Sequence, residues 1–225
     1  MEQAQTEKIK INSFSKLFDE KLTKYTSEKS GTVFNITNIR GIILHQDAKY
    51  ESAVELVTKL IESKKNPYHF IIESDGTIYQ VNPIDRALDH AYLDTYTEKA
   101  NKYFGNDLCP ISEFKERDQK SPNICTLSIC LPEGKLSSNT YNALVKLCAY
   151  LINKYSKSLQ ATENILSMFE ISKHYEDPSS FKDNAEFYRM FKFDVEKLRS
   201  NWLLHYGGLS RGYPTEEIYD VLEKE

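Results

Sequence analysis

"NPYHFIIESDGTIYQV", residues 66–81, is the stretch that decides the fold. Two β-rich runs, Tyr68–Ile72 and Thr77–Val81, flank the turn dipeptide Asp75-Gly76. Asp-Gly between two such runs signals a hairpin, because glycine takes positive φ at no steric penalty. A hairpin needs a sheet to belong to, and the neighbouring segments supply it. Upstream, Ile42-Ile43-Leu44 is a short, β-branched run that ends on His45 and suits a buried strand. Between the two, Val54, Val57, Leu60 and Ile61 mark an amphipathic helix that stops before Asn66-Pro67.

Downstream, residues 91–122 are mostly polar and predict a long surface loop holding a short helix, a length often functional in compact domains. Residues Ile124–Leu131 predict a second apolar strand. Ser137–Tyr155 is the clearest helix, with Leu144, Leu147, Cys148, Leu151, Ile152 and Tyr155 on one face. Further helical stretches are expected at Thr162–Ser172 and Phe187–Arg199. Phe14, Leu17, Phe18 and Leu22 predict an N-terminal helix, and the tail from Leu203, with Gly207-Gly208 and Pro214, an irregular wrap with a short terminal helix. No internal repeat or low-complexity segment interrupts this order. The fold class expected is α/β: one domain with a mixed central β-sheet flanked by helices, spanning 38–199, with extensions at 1–37 and 200–225.

Bulk properties agree with a packed domain. The chain has 225 residues, 40% of them hydrophobic and 12% aromatic, which suits one core and argues against disorder. Acidic residues number 33 against 29 basic ones, interspersed, for a formal charge of -4. Such a balance provides no electrostatic footprint for nucleic acid and no basic arm for an anionic surface. No apolar run approaches the roughly 20 residues that span a bilayer. Met1–Ile11 is polar and charged, unlike a secretory signal, so the sequence predicts a cytoplasmic chain or one released by a route other than a cleaved signal. Of the four cysteines, Cys125, Cys130 and Cys148 lie in apolar runs and read as small buried hydrophobes; Cys109 completes the set without any CxxC spacing.

Five histidines are the chemical candidates: His45, His69, His90, His174 and His205. His45 sits where a strand opens onto a loop, a usual place for a functional group and equally for a hydrogen-bonded boundary residue. His174 and Asp183 fall in a loop-like stretch. Two histidines and one aspartate would meet the needs of a catalytic zinc, which keeps one position for water. The same spacing also fits a solvated surface loop. His69 follows Tyr68 in a strand and so faces the other side, which suits a structural role, while His205 reads as a surface residue.

Taken in order, these segments resemble one family. "GIILHQDA" (41–48), "NPYHFIIESDGTIYQV" (66–81), "DHA" (89–91), "NICTLSICL" (123–131) and "SKHYEDPSSFKDNAEF" (172–187) are similar to the motifs of the type 2 N-acetylmuramoyl-L-alanine amidases. That superfamily includes phage lysozyme-type amidases and peptidoglycan recognition proteins. The resemblance covers roughly residues 38–199. It implies zinc (Zn2+) held by His45, His174 and Asp183, with Tyr68 near the metal-bound water and Lys182 stabilising the oxyanion. It further implies that His90 contacts substrate, that the substrate is peptidoglycan or a soluble muropeptide, and that the bond cut joins N-acetylmuramic acid to L-alanine, as in an endolysin or a recycling enzyme.

Three departures accompany it. Lys182 directly precedes Asp183, whereas the family lysine stands two residues before its ligand. Cys130 occupies a position where some members carry Glu. A rival register aligns Met168-Phe169-Glu170 with the family's His-Tyr-Asp and makes Asp177-Pro178 its Asp-Pro; methionine is a poor ligand for zinc, so that register implies a metal-free binder. Three readings thus stand: a zinc amidase by the His174 register, a muropeptide-binding module of the same fold, and an interaction protein that has lost the cleft.

Overall fold

The computed structural model describes residues 9–13, 39–47, 49–50, 52–63, 65, 67–88, 90–91, 98–103, 123, 125–131, 136–155, 159, 162–175, 177–202 and 219–223. The elements run β1 (Ile9–Ser13), β2 (Gly41–Gln46), α1 (Ala53–Glu62), β3 (Phe70–Ile72), β4 (Ile78–Gln80), α2 (Glu98–Tyr103), β5 (Thr126–Leu131) and α3 (Ser138–Lys154). After a 3-10 turn at Thr162–Asn164 come β6 (Ile165–Ser167), α4 (Met168–Ile171), α5 (Ser179–Lys182), α6 (Ala185–Trp202) and β7 (Tyr219–Glu223).

The strands form one seven-stranded sheet in the order β6-β2-β5-β3-β4-β1-β7. The β3–β4 pair is antiparallel and every other pair parallel, so the sheet is mixed. β2 and β5 are apolar almost throughout because helices or loops cover both faces, as parallel strands require. On one face, Ile42, Leu44, Phe70, Ile72, Leu127 and Ile129 pack against Leu144, Leu147, Cys148 and Leu151 of α3 and Phe191 and Val195 of α6. On the other, α1 lays Ala53, Leu56, Val57 and Leu60 on Ile71, Tyr79 and Cys130. Next to that cluster, Ile43 and Leu166 meet Ala91, Ala100, Met168 and Ile171.

Both main helices begin where capping chemistry places them. Ser52 accepts the Glu55 N–H at 3.1 Å, and Ser137 accepts the Thr140 N–H at 3.0 Å. Ser137 also donates its hydroxyl to the Ser74 carbonyl at 2.6 Å, and Thr140 donates to the Glu73 carbonyl at 3.0 Å. The start of α3 is thereby tied to the hairpin turn.

Most expected elements are present, with three differences. The stretch Thr162–Ser172 is not one helix: Ile165–Ser167 pairs in parallel with Ile42–Leu44 of β2. Pairing sends Ile165 into the α3 face and Leu166 into the opposite cluster, a two-sided burial that a helix at this edge could not achieve. Both terminal extensions contribute a strand, since β1 pairs with β4 and with β7. β7 occupies the place of the expected terminal helix. The expected N-terminal helix, Cys109 and His205 lie outside the described residues. Cys125, Cys130 and Cys148 are buried free thiols. No helix among the described residues is long and apolar enough to cross a membrane.

Gly76 is the residue whose geometry the hairpin needs. Its φ is +86°, and a Cβ there would stand 2.9 Å from the Asn139 main-chain oxygen. Gly76→Ala combines a strained φ with a backbone clash, and should lower stability by roughly 1–3 kcal/mol. Urea unfolding checks this; an unchanged midpoint would contradict the close approach of hairpin and α3.

Candidate functional site

β2 ends at the edge of the sheet between β5 and β6, and its last residues are His45 and Gln46. Alternation puts His45 on the same face as Ile43, and the register pairs His45 with Cys130. Tyr68 stands just before β3, its carbonyl held by the Asn82 side-chain amide at 2.6 Å. His90 arrives from the loop after β4. The Asn123 Oδ1 accepts the N–H groups of His90, at 3.2 Å, and Ala91, at 2.7 Å, and so fixes that loop.

The structure brings His45, Tyr68 and His90 together. His45 Nε2 lies 3.1 Å from His90 Nδ1, and His90 Nε2 lies 3.0 Å from the Thr126 hydroxyl. Ring centroids are 5.2 Å apart for His45 and His90, and 5.4 Å for His45 and Tyr68. Across the His45–His90 contact one nitrogen must donate and the other accept, so the two rings cannot both be imidazolium. His69 is the structural histidine beside them. Its Nδ1 accepts the Ser128 N–H at 3.0 Å, which leaves Nε2 to donate to the Arg86 carbonyl at 2.8 Å.

The three buried imidazoles are neutral. Burial, and then the charge of His69, push His45 down to about 3. Burial lowers His69 to about 4 against the pull of its bond to Arg86. His90 is pushed well down by burial first and by His45 and His69 next. Burial, followed by Cys130 and Asp47, drives the Tyr68 phenol upward, so it serves as a neutral hydroxyl. The Cys130 thiol is likewise pushed well up by burial, which makes it an inert packing group rather than a nucleophile.

His174, Lys182 and Asp183 do not join this group. All three side chains are exposed: His174 in the turn after Ser172, Lys182 in the last turn of α5, and Asp183 at its C-cap. The expected ligand trio His45, His174 and Asp183 is therefore not assembled. The physical reason is β6. Its register with β2 ends at Leu44↔Ser167, the next residue is Met168 at the start of α4, and His174 lies six residues further on. Met168 is buried in the apolar cluster with Ile43 and Leu166. The carboxylate that reaches β2 is Asp177, whose Oδ2 accepts the Gln46 N–H at 3.0 Å. Burial first, and the charge of Asp47 in addition, raise that carboxyl above its usual range, while the bond from Gln46 opposes the shift.

These donors do not fit zinc. The buried side chain that follows β6 is the thioether of Met168, a poor ligand for zinc, and Asp177 is engaged by a main-chain N–H. Among the described residues no three His, Cys, Asp or Glu side chains are grouped to hold a metal ion. Sequence reasoning did not single out Asn123, Thr126, Asn82 or Gln46. For Asn123 alone a signal existed, the Asn that precedes the central strand.

The model of the N-acetylmuramoyl-L-alanine amidase family matches residues 35–185. A search of curated protein sequences gives no match. Among solved structures, the chain is similar to N-acetylmuramoyl-L-alanine amidase LysC from Clostridium intestinale URNW, at 18% identity over 65% of this chain and 80% of that one, with TM-score 0.46. It is also similar to the Ph2119 endolysin from Thermus scotoductus MAT2119 bacteriophage Ph2119, at 15% identity over 75% and 90% of the two chains, with TM-score 0.45. A third is Drosophila peptidoglycan recognition protein SA, at 14% identity over 65% and 77%, with TM-score 0.47.

The buried imidazoles set an acid limit on stability. Unfolded, each takes up a proton near 6.5; folded, His45 and His69 do so only at about 3 and about 4. Their stabilising contribution is thus complete above the unfolded value and is lost as pH falls from there towards the folded values. Each imidazole removes up to about 1.4 kcal/mol per pH unit across that window. Urea midpoints measured between about pH 8 and 4 should start to fall near the unfolded histidine value of 6.5. A flat profile down to the carboxylate range would show that these rings are not buried neutral.

Proposed function

We propose, because the chain belongs to the N-acetylmuramoyl-L-alanine amidase family, that its cleft recognises the muramyl-peptide junction of peptidoglycan or of soluble muropeptides, and does so without a bound zinc ion. Family membership makes this a domain of peptidoglycan amidase type. One observation carries the finer reading: β6 ends level with Leu44 of β2, and the residue that follows it, buried with Ile43, is Met168, whose thioether is a poor ligand for zinc.

The polar groups gathered at the sheet edge support recognition. His45, His90 and Tyr68 are neutral; His90 spends both ring nitrogens on His45 and Thr126 and so orients His45, while the Tyr68 hydroxyl can donate or accept. That chemistry matches an amide and sugar hydroxyls, uncharged groups that both donate and accept. Amide hydrolysis asks for more: stabilisation of the negative charge that builds on the carbonyl oxygen, by a cation or by aimed donors. Lys182, expected in that role, is exposed on α5. A second reading, zinc-dependent hydrolysis of the amide between N-acetylmuramic acid and L-alanine, is supported by the meeting of His45, Tyr68 and His90 at one strand end.

Purified sacculi and a soluble N-acetylmuramyl peptide, incubated with zinc-supplemented and with chelated protein, separate the two. The binding reading expects retention on sacculi, zinc far below one per chain and no free stem peptide by mass spectrometry. Release of stem peptide with a new amino terminus at L-alanine, abolished by chelation, would establish the hydrolase instead. Tyr68→Phe should weaken muramyl-peptide binding about five- to tenfold, the worth of one hydrogen bond, and His90→Ala should weaken it by releasing the His45 ring that it orients. Unchanged affinity in both, by calorimetry, would remove this edge from the binding surface.

A further inference from the structure

Gln46 follows His45, and both of its polar groups are tied to the segment that returns from α4. Its main-chain N–H donates to Asp177 Oδ2 at 3.0 Å. Its side-chain Oε1 accepts the Ser179 N–H at 3.0 Å and the Ser179 hydroxyl at 3.3 Å. The returning segment is anchored at its other end as well. Ser172 donates its N–H to the Met168 carbonyl at 2.9 Å, and the Asp177 carbonyl accepts the Phe169 N–H at 3.1 Å. The Ser172 hydroxyl in turn accepts the His174 N–H at 3.1 Å.

Between these anchors Lys173, His174 and Tyr175 are exposed, Tyr175 by 48%. Tyr175 is two residues from Asp177, so its Cα stands within about 7 Å of that anchor. A cation, an imidazole and an aromatic ring are thus carried on a turn pinned to the residue that adjoins His45. An aromatic face suits the apolar face of a sugar ring, and an ammonium suits a carboxylate; a muramyl peptide offers both.

We infer that Gln46 is a positioning residue for ligand binding: by clamping Asp177 and Ser179 to the end of β2, it holds the Lys173–Tyr175 turn beside the strand end that carries His45. This inference rests on the muramyl-peptide reading above. It assigns His174 to the ligand-facing turn instead of a metal.

Two variants test it. Gln46→Met keeps the side-chain length and removes the acceptor; Gln46→Glu keeps an acceptor at the same position. In Gln46→Met the Ser179 amide should exchange with deuterium at least about tenfold faster, and the dissociation constant for a soluble N-acetylmuramyl peptide should rise about fivefold. The unfolding midpoint should move by no more than about 4 °C. Gln46→Glu should recover the Ser179 protection. Unchanged Ser179 exchange in Gln46→Met would show that no clamp exists, and faster exchange with wild-type affinity would show that the ligand does not depend on it; either overturns the inference. If the wild-type chain binds no muramyl peptide, the proposed function itself fails, and this is told apart because the exchange comparison needs no ligand.

Discussion

The burial of β2 on both faces is the constraint from which the rest follows. With β5 on one side, β6 on the other and packed layers above and below, Ile42–Leu44 has no route to water. An unpaired polar group inside such a strand costs several kcal/mol, so its interior is Ile42-Ile43-Leu44 and its polar side chains wait for the C-terminal end. His45 and Gln46 are those residues. The end of β2 becomes a site because it is the first place along the strand where polar chemistry is tolerated, and β5 brings Cys130 level with His45. The covering loop then has to satisfy whatever the strand end leaves open. His90 does so for His45, Thr126 does so for His90, and Asn123 holds the loop that carries them.

Such a chain of neutral groups differs in kind from a metal site. A metal site gathers the lone pairs of deprotonated ligands around an ion, and for histidine that means the neutral ring. Here the lone pair of one imidazole faces the N–H of the next, and burial holds every ring neutral. An ion held by His45 would call for a second ligand from the segment after β6, where Met168 stands. The thioether there makes no such demand. It packs with Ile43, Leu166 and Ile171 as an ordinary core residue.

How much of this was legible in the sequence depends on the range over which the information is written. The hairpin is local: Asp75-Gly76 between two apolar runs leaves one conformation for the turn, and its glycine does take positive φ. The helices at Ala53–Glu62 and Ser138–Lys154 are local too, since apolar spacing and a serine cap lie within one segment. β6 is not local. Ile165-Leu166-Ser167 is too short to show a period, and only its partner β2 makes it a strand. The site inherits that difficulty. His45, Tyr68 and His90 could be named because each carries its own motif, whereas His174 and Asp183 were named by matching an irregular closing loop to the family, which says nothing about where a register ends. Once Ser167 pairs with Leu44, Met168 is the next residue, and His174 lies six residues beyond it. The Gln46–Asp177 bond spans 131 residues, and neither residue type announces it.

The departures in this chain are coupled, which is why the fold survives them. Three polar ties hold the segments around the end of β2 in place. Asn123 fixes the His90 loop to the start of β5, Gln46 fixes the 177–179 segment to the end of β2, and the Lys99–Glu170 ion pair fixes α2 to α4. Glu170 is the most connected of these groups. Its carboxylate also accepts the Tyr188 hydroxyl at 2.7 Å and the Ser167 N–H at 2.9 Å, so it joins β6, α2 and α6 beside the buried Met168. Burial alone would raise that carboxyl, yet Lys192, Lys99 and the two hydrogen bonds together hold it below its usual range. The ionised carboxylate is thus the favoured form on the very segment that carries Met168. The ties that shape this region run through amides, hydroxyls, an ammonium and two carboxylates, and none of them requires an ion to form.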